Sequence, residues 1–184
     1  MKQISLLFLL LVQSSIAQNS LFNQVEAKNI GPTIMSGRVV DLAVNPNNPT
    51  EFYVAYATGG LWYTNNNGTS FSPVMDAAET VNCGSVTVDW NSGTIWVGTG
   101  EVNASRSSYA GVGVLKSSDK GKTWENLGLK DSHHVSRIWV NPSNLNEIVV
   151  ATVGHLYTTN KERGIYKSTD GGKSWKLTLF VAED

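Results

Sequence analysis

The sequence is short of charge, of cysteine and of any basic excess, and each shortage removes a class of protein. Lys and Arg number 14 against 15 Asp and Glu, and charged residues make up only 16% of the 184. That balance leaves no cationic surface to neutralise phosphates, which excludes a charge-driven nucleic-acid partner. Together with six Trp, six Tyr and five Phe, it also excludes a disordered charged tail. The one cysteine, Cys83, has no partner for an internal disulfide, so the core alone must hold the chain. It lies in an apolar stretch without a local base and reads as a small core residue, not a nucleophile. The one long apolar run, Ile4 to Val12, is about half the ~20 residues that span a bilayer. Lys2 before it and Ser15-Ile16-Ala17 after it make residues 1–17 a predicted signal peptide, followed by a lead-in over 18–28. The expectation is export to a secreted, periplasmic or cell-surface location, with no membrane span after cleavage.

Turn-formers and aromatics are plentiful, and they recur in a pattern. Three eight-residue segments share one shape: Thr64 to Phe71 (TNNNGTSF), Ser117 to Trp124 (SSDKGKTW) and Ser168 to Trp175 (STDGGKSW). Their spacing defines units of about 50 residues, and a fixed period of that size signals a repeat architecture. Each segment follows a short run of strand formers: Gly60 to Tyr63, Gly113 to Lys116 and Gly164 to Lys167. Upstream stand Leu42 to Pro46, Val86 to Trp90 and Ile138 to Pro142, each followed by another strand-like run, Glu51–Ala57, Thr94–Thr99 and Glu147–Val153. Four strands per unit, three times over, predict an all-β protein of antiparallel sheets.

The eight-residue segment has a physical logic of its own. A hydroxyl and a carboxylate or amide two residues apart accept hydrogen bonds from backbone N–H groups in the same tight turn. The glycine at the fifth place takes the positive φ of the reversal, and the aromatic at the eighth starts the next strand. Ser117, Asp119, Gly121 and Trp124, and Ser168, Asp170, Gly172 and Trp175, are therefore read as structural. A calcium loop fits poorly, because the alternating oxygen ligands and closing glutamate are missing.

Ser-x-Asp-x-Gly-x-x-Trp is similar to the Asp-box, or BNR repeat, and the units resemble blades of a β-propeller. Asn29-Ile30-Gly31-Pro32, Ser36-Gly37-Arg38-Val39, Thr58-Gly59-Gly60-Leu61-Trp62, Val97-Gly98-Thr99-Gly100-Glu101 and Gly128 to Ser132 resemble more narrowly a group of exported bacterial propellers, sortilin-like or of the "glycosyl hydrolase, BNR repeat" type. The resemblance implies blades over about 29–77, 78–131 and 132–184. It does not fix chemistry, because enzymes and binding proteins share the fold. A propeller closes with roughly four to eight blades. Three leave the ring open, so the remaining blades are expected from a longer chain, the alternative being closure by association.

Candidate site residues follow from the aligned units. Arg38, Asn82 and His134 hold equivalent positions at the head of the first strand of each unit, a polar ring at the channel mouth. Insertions at Glu101 to Val112 and Gly154 to Arg163 lengthen loops, the favoured carriers of binding groups on a rigid scaffold. From the first insertion Glu101, Asn103, Arg106 and Tyr109 are candidate contacts for a carbohydrate or peptide. His133, His134 and His155 do not suggest a metal, since neighbours on a strand point to opposite faces. No cofactor is implied.

The resemblance also allows the enzyme reading to be checked. Sialidases carry an Arg-Ile-Pro start, and Ile30-Gly31-Pro32 lacks the arginine. Xyloglucan-cleaving relatives carry a catalytic Asp before a Gly-Gly pair in the first blade, and here the run is Tyr56-Ala57-Thr58-Gly59-Gly60. No carboxylate stands there, and Glu101 alone is not the pair that glycoside hydrolysis requires. The expected function is a module that binds a protein, peptide or glycan without catalysis of its own. The alternative is a glycoside hydrolase completed by residues outside this sequence.

Overall fold

The computed structural model describes residues 37–103 and 108–181. The signal peptide, the lead-in, Asn29–Pro32, Ser36 and Arg106 lie outside the described residues. The rest is three antiparallel sheets of four strands, each joined in simple sequential order. The first holds β1 (Val39–Val44), β2 (Phe52–Tyr56), β3 (Gly60–Thr64) and β4 (Ser72–Pro73). In the second are β5 (Cys83–Asp89), β6 (Thr94–Thr99), β7 (Val114–Ser117) and β8 (Glu125–Asn126). β9 (Val135–Val140), β10 (Ile148–Thr152), β11 (Gly164–Ser168) and β12 (Lys176–Phe180) make the third.

The sheets repeat one another in detail. Every first strand carries one extra residue, Val40, Gly84 or Ser136, where the pairing to the second strand slips. Such a bulge bends the strand and re-aims the side chains before it. The first strands therefore begin three residues earlier than the apolar pattern alone indicates, and that early stretch carries the bulge.

Alternation along the strands gives each sheet two apolar faces, and the cores lie between sheets. Tyr53, Ala55 and Leu61 of the first sheet pack against Cys83, Val86, Val97 and Leu115 of the second. Trp96 and Val114, on the opposite face of the second sheet, pack against Ile138, Val140, Ile148 and Val150 of the third. Cys83 is fully buried in the first of these cores, and desolvation pushes its thiol up to about 12. That agrees with a core residue. Among the described residues the three sheets do not close into a ring, and apolar side chains stay open at both ends, Leu42 and Val44 on one and Trp139 and Leu179 on the other.

The repeated turns stitch the third strand of each sheet to the fourth. Ser117 Oγ is buried, donates to Asp119 Oδ1 (2.8 Å) and accepts from the N–H of Gly121 (2.8 Å). Asp119 in turn accepts from the amide (2.9 Å) and hydroxyl (2.7 Å) of Thr123. Ser168, Asp170, Gly172 and Ser174 repeat these bonds at 2.6–3.0 Å. Thr64 and Asn66 hold the first turn in the same way, through Gly68 N and Ser70 N. Gly121 sits at φ +89, where a side chain is strained.

The aromatics at the eighth position reach further than the sequence suggests. Trp124 Nε1 donates to the carbonyl of Val74 (3.1 Å), and Trp175 Nε1 to the carbonyl of Leu127 (2.7 Å). Each acceptor lies just beyond the last strand of the preceding sheet, so the indole latches two sheets together. Phe71 has no N–H to give and packs edge-on against Phe52 of its own sheet (6.0 Å).

The turn carboxylates set an acid limit. Thr123 hydroxyl and amide hydrogen bonds, with Ser117, hold Asp119 down at about 2, and Ser174 holds Asp170 well below the usual carboxylate range. A folded value below the ordinary 3.8 gives stability that is complete above that pH and lost as pH falls towards 2. In thermal melts, Asp119→Asn is expected to lower Tm at pH 7 and to flatten the decline between pH 4 and 2; an unchanged acid profile would separate the turn from acid stability.

Candidate functional site

The bulged first strands bring their leading residues to one end of the three sheets. Arg38, Asn82 and His134 immediately precede β1, β5 and β9, and their carbonyls accept the N–H of Ala57 (2.8 Å), Gly100 (2.9 Å) and Val153 (2.9 Å). The equivalence read from the aligned units is thus realised in backbone bonds.

Glu101 joins this end from the loop after β6. Its side chain is fully buried, and Arg38, itself about half exposed (52%), donates to Glu101 Oε1 through Nε at 2.8 Å and through Nη2. Among the described residues Oε2 has no hydrogen-bond partner. Glycine dictates the approach: Gly100 has φ +85, and a Cβ there would collide with the carbonyl of His133. Arg38 and Glu101 line a cleft of ≈ 250 Å³ with Gly37, Ala57, Thr58 and Tyr109. Ala57 and Thr58 belong to the run before the Gly-Gly pair, and neither brings a second carboxylate to the cleft lining.

His134 is buried beside this cleft, hydrogen-bonded to the backbone of Glu101, and among the described residues its Nδ1 has no partner. Burial pushes its imidazole below the ordinary value, which keeps it neutral. A second cleft of ≈ 240 Å³ holds His133, His134 and His155 with Ser108, Ala110 and Tyr157. There the rings of His133 and His155 stack at 3.8 Å, and burial, reinforced by the neighbouring imidazole, lowers His133 as well. His155 uses both ring nitrogens, on Thr158 Oγ1 (3.1 Å) and the Asp131 carbonyl (3.0 Å). Among the described residues no cluster of three His, Cys, Asp or Glu can hold a metal ion. The segment between the clefts is pinned by Glu101 N to Tyr109 O (3.2 Å), Asn82 Nδ2 to Ala110 O (3.2 Å) and Gly111 N to His133 O (2.6 Å).

Arg38, Asn82, Glu101, His134 and Tyr109 therefore meet at one end. Asn103 is exposed at the edge of the described loop, where its carbonyl accepts from Ser108 Oγ (3.2 Å). Asp41 was not singled out by the sequence. It ties all three first strands, accepting from the N–H of Val86 (3.0 Å) and from Arg137 Nη1 (3.1 Å). Asp41, Ser85 and Arg137 are equivalent positions in the three units, and that alignment is the signal that could have found them.

No family model and no curated protein matches the chain. Solved structures do. An ancestral GH74 enzyme is similar at 22% identity with a TM-score of 0.63, over 86% of this chain and 20% of that one. The fold is that of a β-propeller. A GH74 enzyme of Niastella koreensis (19% identity, TM-score 0.58) covers 75% of this chain, and 22% of its own length is matched. YCF48 bound to D1 peptide (15% identity, TM-score 0.53) covers 83% here and 45% there. The chain thus spans about a fifth of the GH74 enzymes and under half of YCF48.

Two results are expected of the site. Arg38→Ala leaves a buried carboxylate unpaired and is expected to destabilise the fold, by at most the ~3–5 kcal/mol of a fully buried pair because Arg38 is half exposed. Arg38→Met combined with Glu101→Gln should recover part of the loss in urea melts, and no recovery would contradict the pairing. His134 resists protonation in the fold, so stability is expected to fall as pH drops below 6.5, where the unfolded histidine takes up a proton. His134→Gln should flatten the pH 7 to 5 limb of the urea midpoint.

Proposed function

We propose that the chain is part of an exported, Asp-box, sortilin-like propeller that binds a protein, peptide or glycan at the end carrying Arg38, Glu101 and His134, without catalysis of its own. The observation that carries this reading is the state of Glu101. Among the described residues it is the one carboxylate lining the cleft, it is buried, and one of its oxygens is held by Arg38. Hydrolysis of a glycosidic bond needs two carboxyl groups about 5–9.5 Å apart across the scissile bond. Ala57 and Thr58, from the run before the Gly-Gly pair, line the same cleft and carry no carboxylate. A binding module needs only polar groups on a rigid rim, which the pinned segment and the exposed Tyr109 ring provide. YCF48 with its D1 peptide supports the reading as a case of a similar fold holding a peptide.

The glycoside hydrolase reading rests on the likeness to GH74 enzymes and requires the second carboxylate to come from outside the described residues. Assays on xyloglucan, mixed-linkage β-glucan and sialosides discriminate between the two. The expected result is no turnover above that of Glu101→Gln. Turnover that Glu101→Gln abolishes would overturn the binding-only reading. On peptide and glycan arrays, Arg38→Ala and Tyr109→Ala are expected to weaken any bound probe by at least ~10-fold, since each removes a contact worth more than ~1.4 kcal/mol if the cleft is the site.

A further inference from the structure

The histidine cleft of ≈ 240 Å³ has a hydrogen-bond balance of its own. Ser108 and Ala110 line it while Tyr109, between them, lines the Arg38–Glu101 cleft, so this segment parts the two. The roles of the lining groups follow from their partners. A carbonyl only accepts, so His155 Nε2, 3.0 Å from the Asp131 carbonyl, carries that ring's proton, and Nδ1 accepts from Thr158 Oγ1 (3.1 Å). Ser108 Oγ spends its one O–H on the Asn103 carbonyl (3.2 Å). His134 bonds the Glu101 backbone in a way that favours the protonated ring, so the ring is the donor there, through the nitrogen other than Nδ1. Nδ1 of the neutral ring is then an acceptor. It belongs to a side chain only 4% exposed, and among the described residues no donor reaches it. A buried acceptor in that state calls for a partner.

The fixed charges that act on these rings are carboxylates. Asp131 and Glu162 favour a positive charge at His133, and Glu101 favours one at His134. Burial keeps the two imidazoles neutral all the same, so the negative field is not cancelled from within the cleft. The neighbouring cations are engaged or outside. Lys130 is drawn to Glu79 (3.6 Å), Arg163 Nε donates to the Val153 carbonyl (3.0 Å), and Lys161 is exposed. Tyr157 adds an aromatic ring, lining the cleft while 72% exposed. An aromatic face attracts a cation, and a guanidinium lies flat on it.

A buried acceptor, a negative field and an exposed aromatic ring together select a ligand that brings donors and positive charge. Sugars and amides carry acceptors as well as donors, whereas arginine and lysine side chains carry donors alone. The planar guanidinium can stack on a ring and donate from its edge at the same time, which an ammonium cannot. We infer that the histidine cleft binds an arginine side chain of a protein partner, its guanidinium donating to His134 Nδ1 and stacking on Tyr157, and releases it on acidification. A proton on His134 removes the acceptor and adds like charge, and a proton on the stacked pair of His133 and His155 (3.8 Å) adds another. The assignment rests on the reading of this end as a binding surface. Its test is read at the imidazoles, whereas Arg38 and Tyr109 carry the test of that reading, so the two can fail separately.

The test titrates the whole chain with a Gly-Arg-Gly peptide blocked at both ends, and with its citrulline counterpart of the same shape and no charge. The readout is the ring-proton NMR signals of His133, His134 and His155. Saturable movement of the His134 signal is expected at pH 7.5, with arginine bound at least ~10-fold more tightly than citrulline. Tyr157→Ala should weaken the arginine peptide by ~2–5-fold and Tyr157→Phe should not, since the ring face is kept. Affinity should fall by at least ~10-fold from pH 7.5 to pH 5. His133→Asn, a residue suited to the positive φ of 54 at that position, should blunt this fall. No saturable movement at ~20 mM peptide, where a Kd of ~1 mM already saturates, would overturn the assignment. Equal binding of citrulline, or tighter binding at pH 5, would do the same. Movement of these signals by a cello-oligosaccharide and not by the arginine peptide would overturn it too, by naming a glycan as the occupant.

Discussion

A four-stranded sheet with apolar side chains on both faces cannot rest alone in water, and every other feature of this molecule answers that constraint. Burial of apolar area is worth roughly 25 cal/mol per Å². Each sheet therefore gains from a neighbour on each side, and neighbours of the same kind satisfy the requirement indefinitely. Face packing is non-directional, however, and by itself does not fix how far one sheet turns or slides against the next. The indole hydrogen bonds from Trp124 to Val74 and from Trp175 to Leu127 supply that register. The Ser-x-Asp turns make the latch dependable, since a hydroxyl and a carboxylate hold the loop rigid just ahead of the indole.

The same constraint shapes the polar end. Sheets stacked side by side bring their first strands together, and the bulges at Val40, Gly84 and Ser136 re-aim the residues before them towards a common region. Charge collected there has to be paired as well as positioned. Arg38 with Glu101, and Asp41 with Arg137 and the Val86 amide, meet that need across sheet boundaries. The groups that line the cleft at this end also hold neighbouring sheets together.

Much of the fold was legible in the chain because its signals are local. The turn segments, the runs ahead of them and the third-to-fourth strand stitching involve residues within a few places of one another, and side-chain type alone dictates the chemistry. The alignment of Arg38, Asn82 and His134 was legible for the same reason, through repetition. The pairing of Arg38 with Glu101 was not, because 63 residues separate them and only the packing of two sheets brings them together. The latch was half visible: the tryptophans stand out, but their acceptors are backbone carbonyls of Val74 and Leu127, and a carbonyl has no sequence signature. Ala57 and Thr58 were noted for lacking a carboxylate, and the structure adds that they line the same cleft as Glu101.

Sheets are held to one another by an indole latch as well as by apolar packing. Solvent exchange of the tryptophan Nε1 protons, followed by NMR in the intact chain, tests it most directly. Slow exchange is predicted at Trp124 and Trp175, and fast exchange at the half-exposed Trp139. Comparable fast exchange at all three would show that the indoles hold no carbonyl across the sheet boundary, and the account of how these sheets are registered would fail.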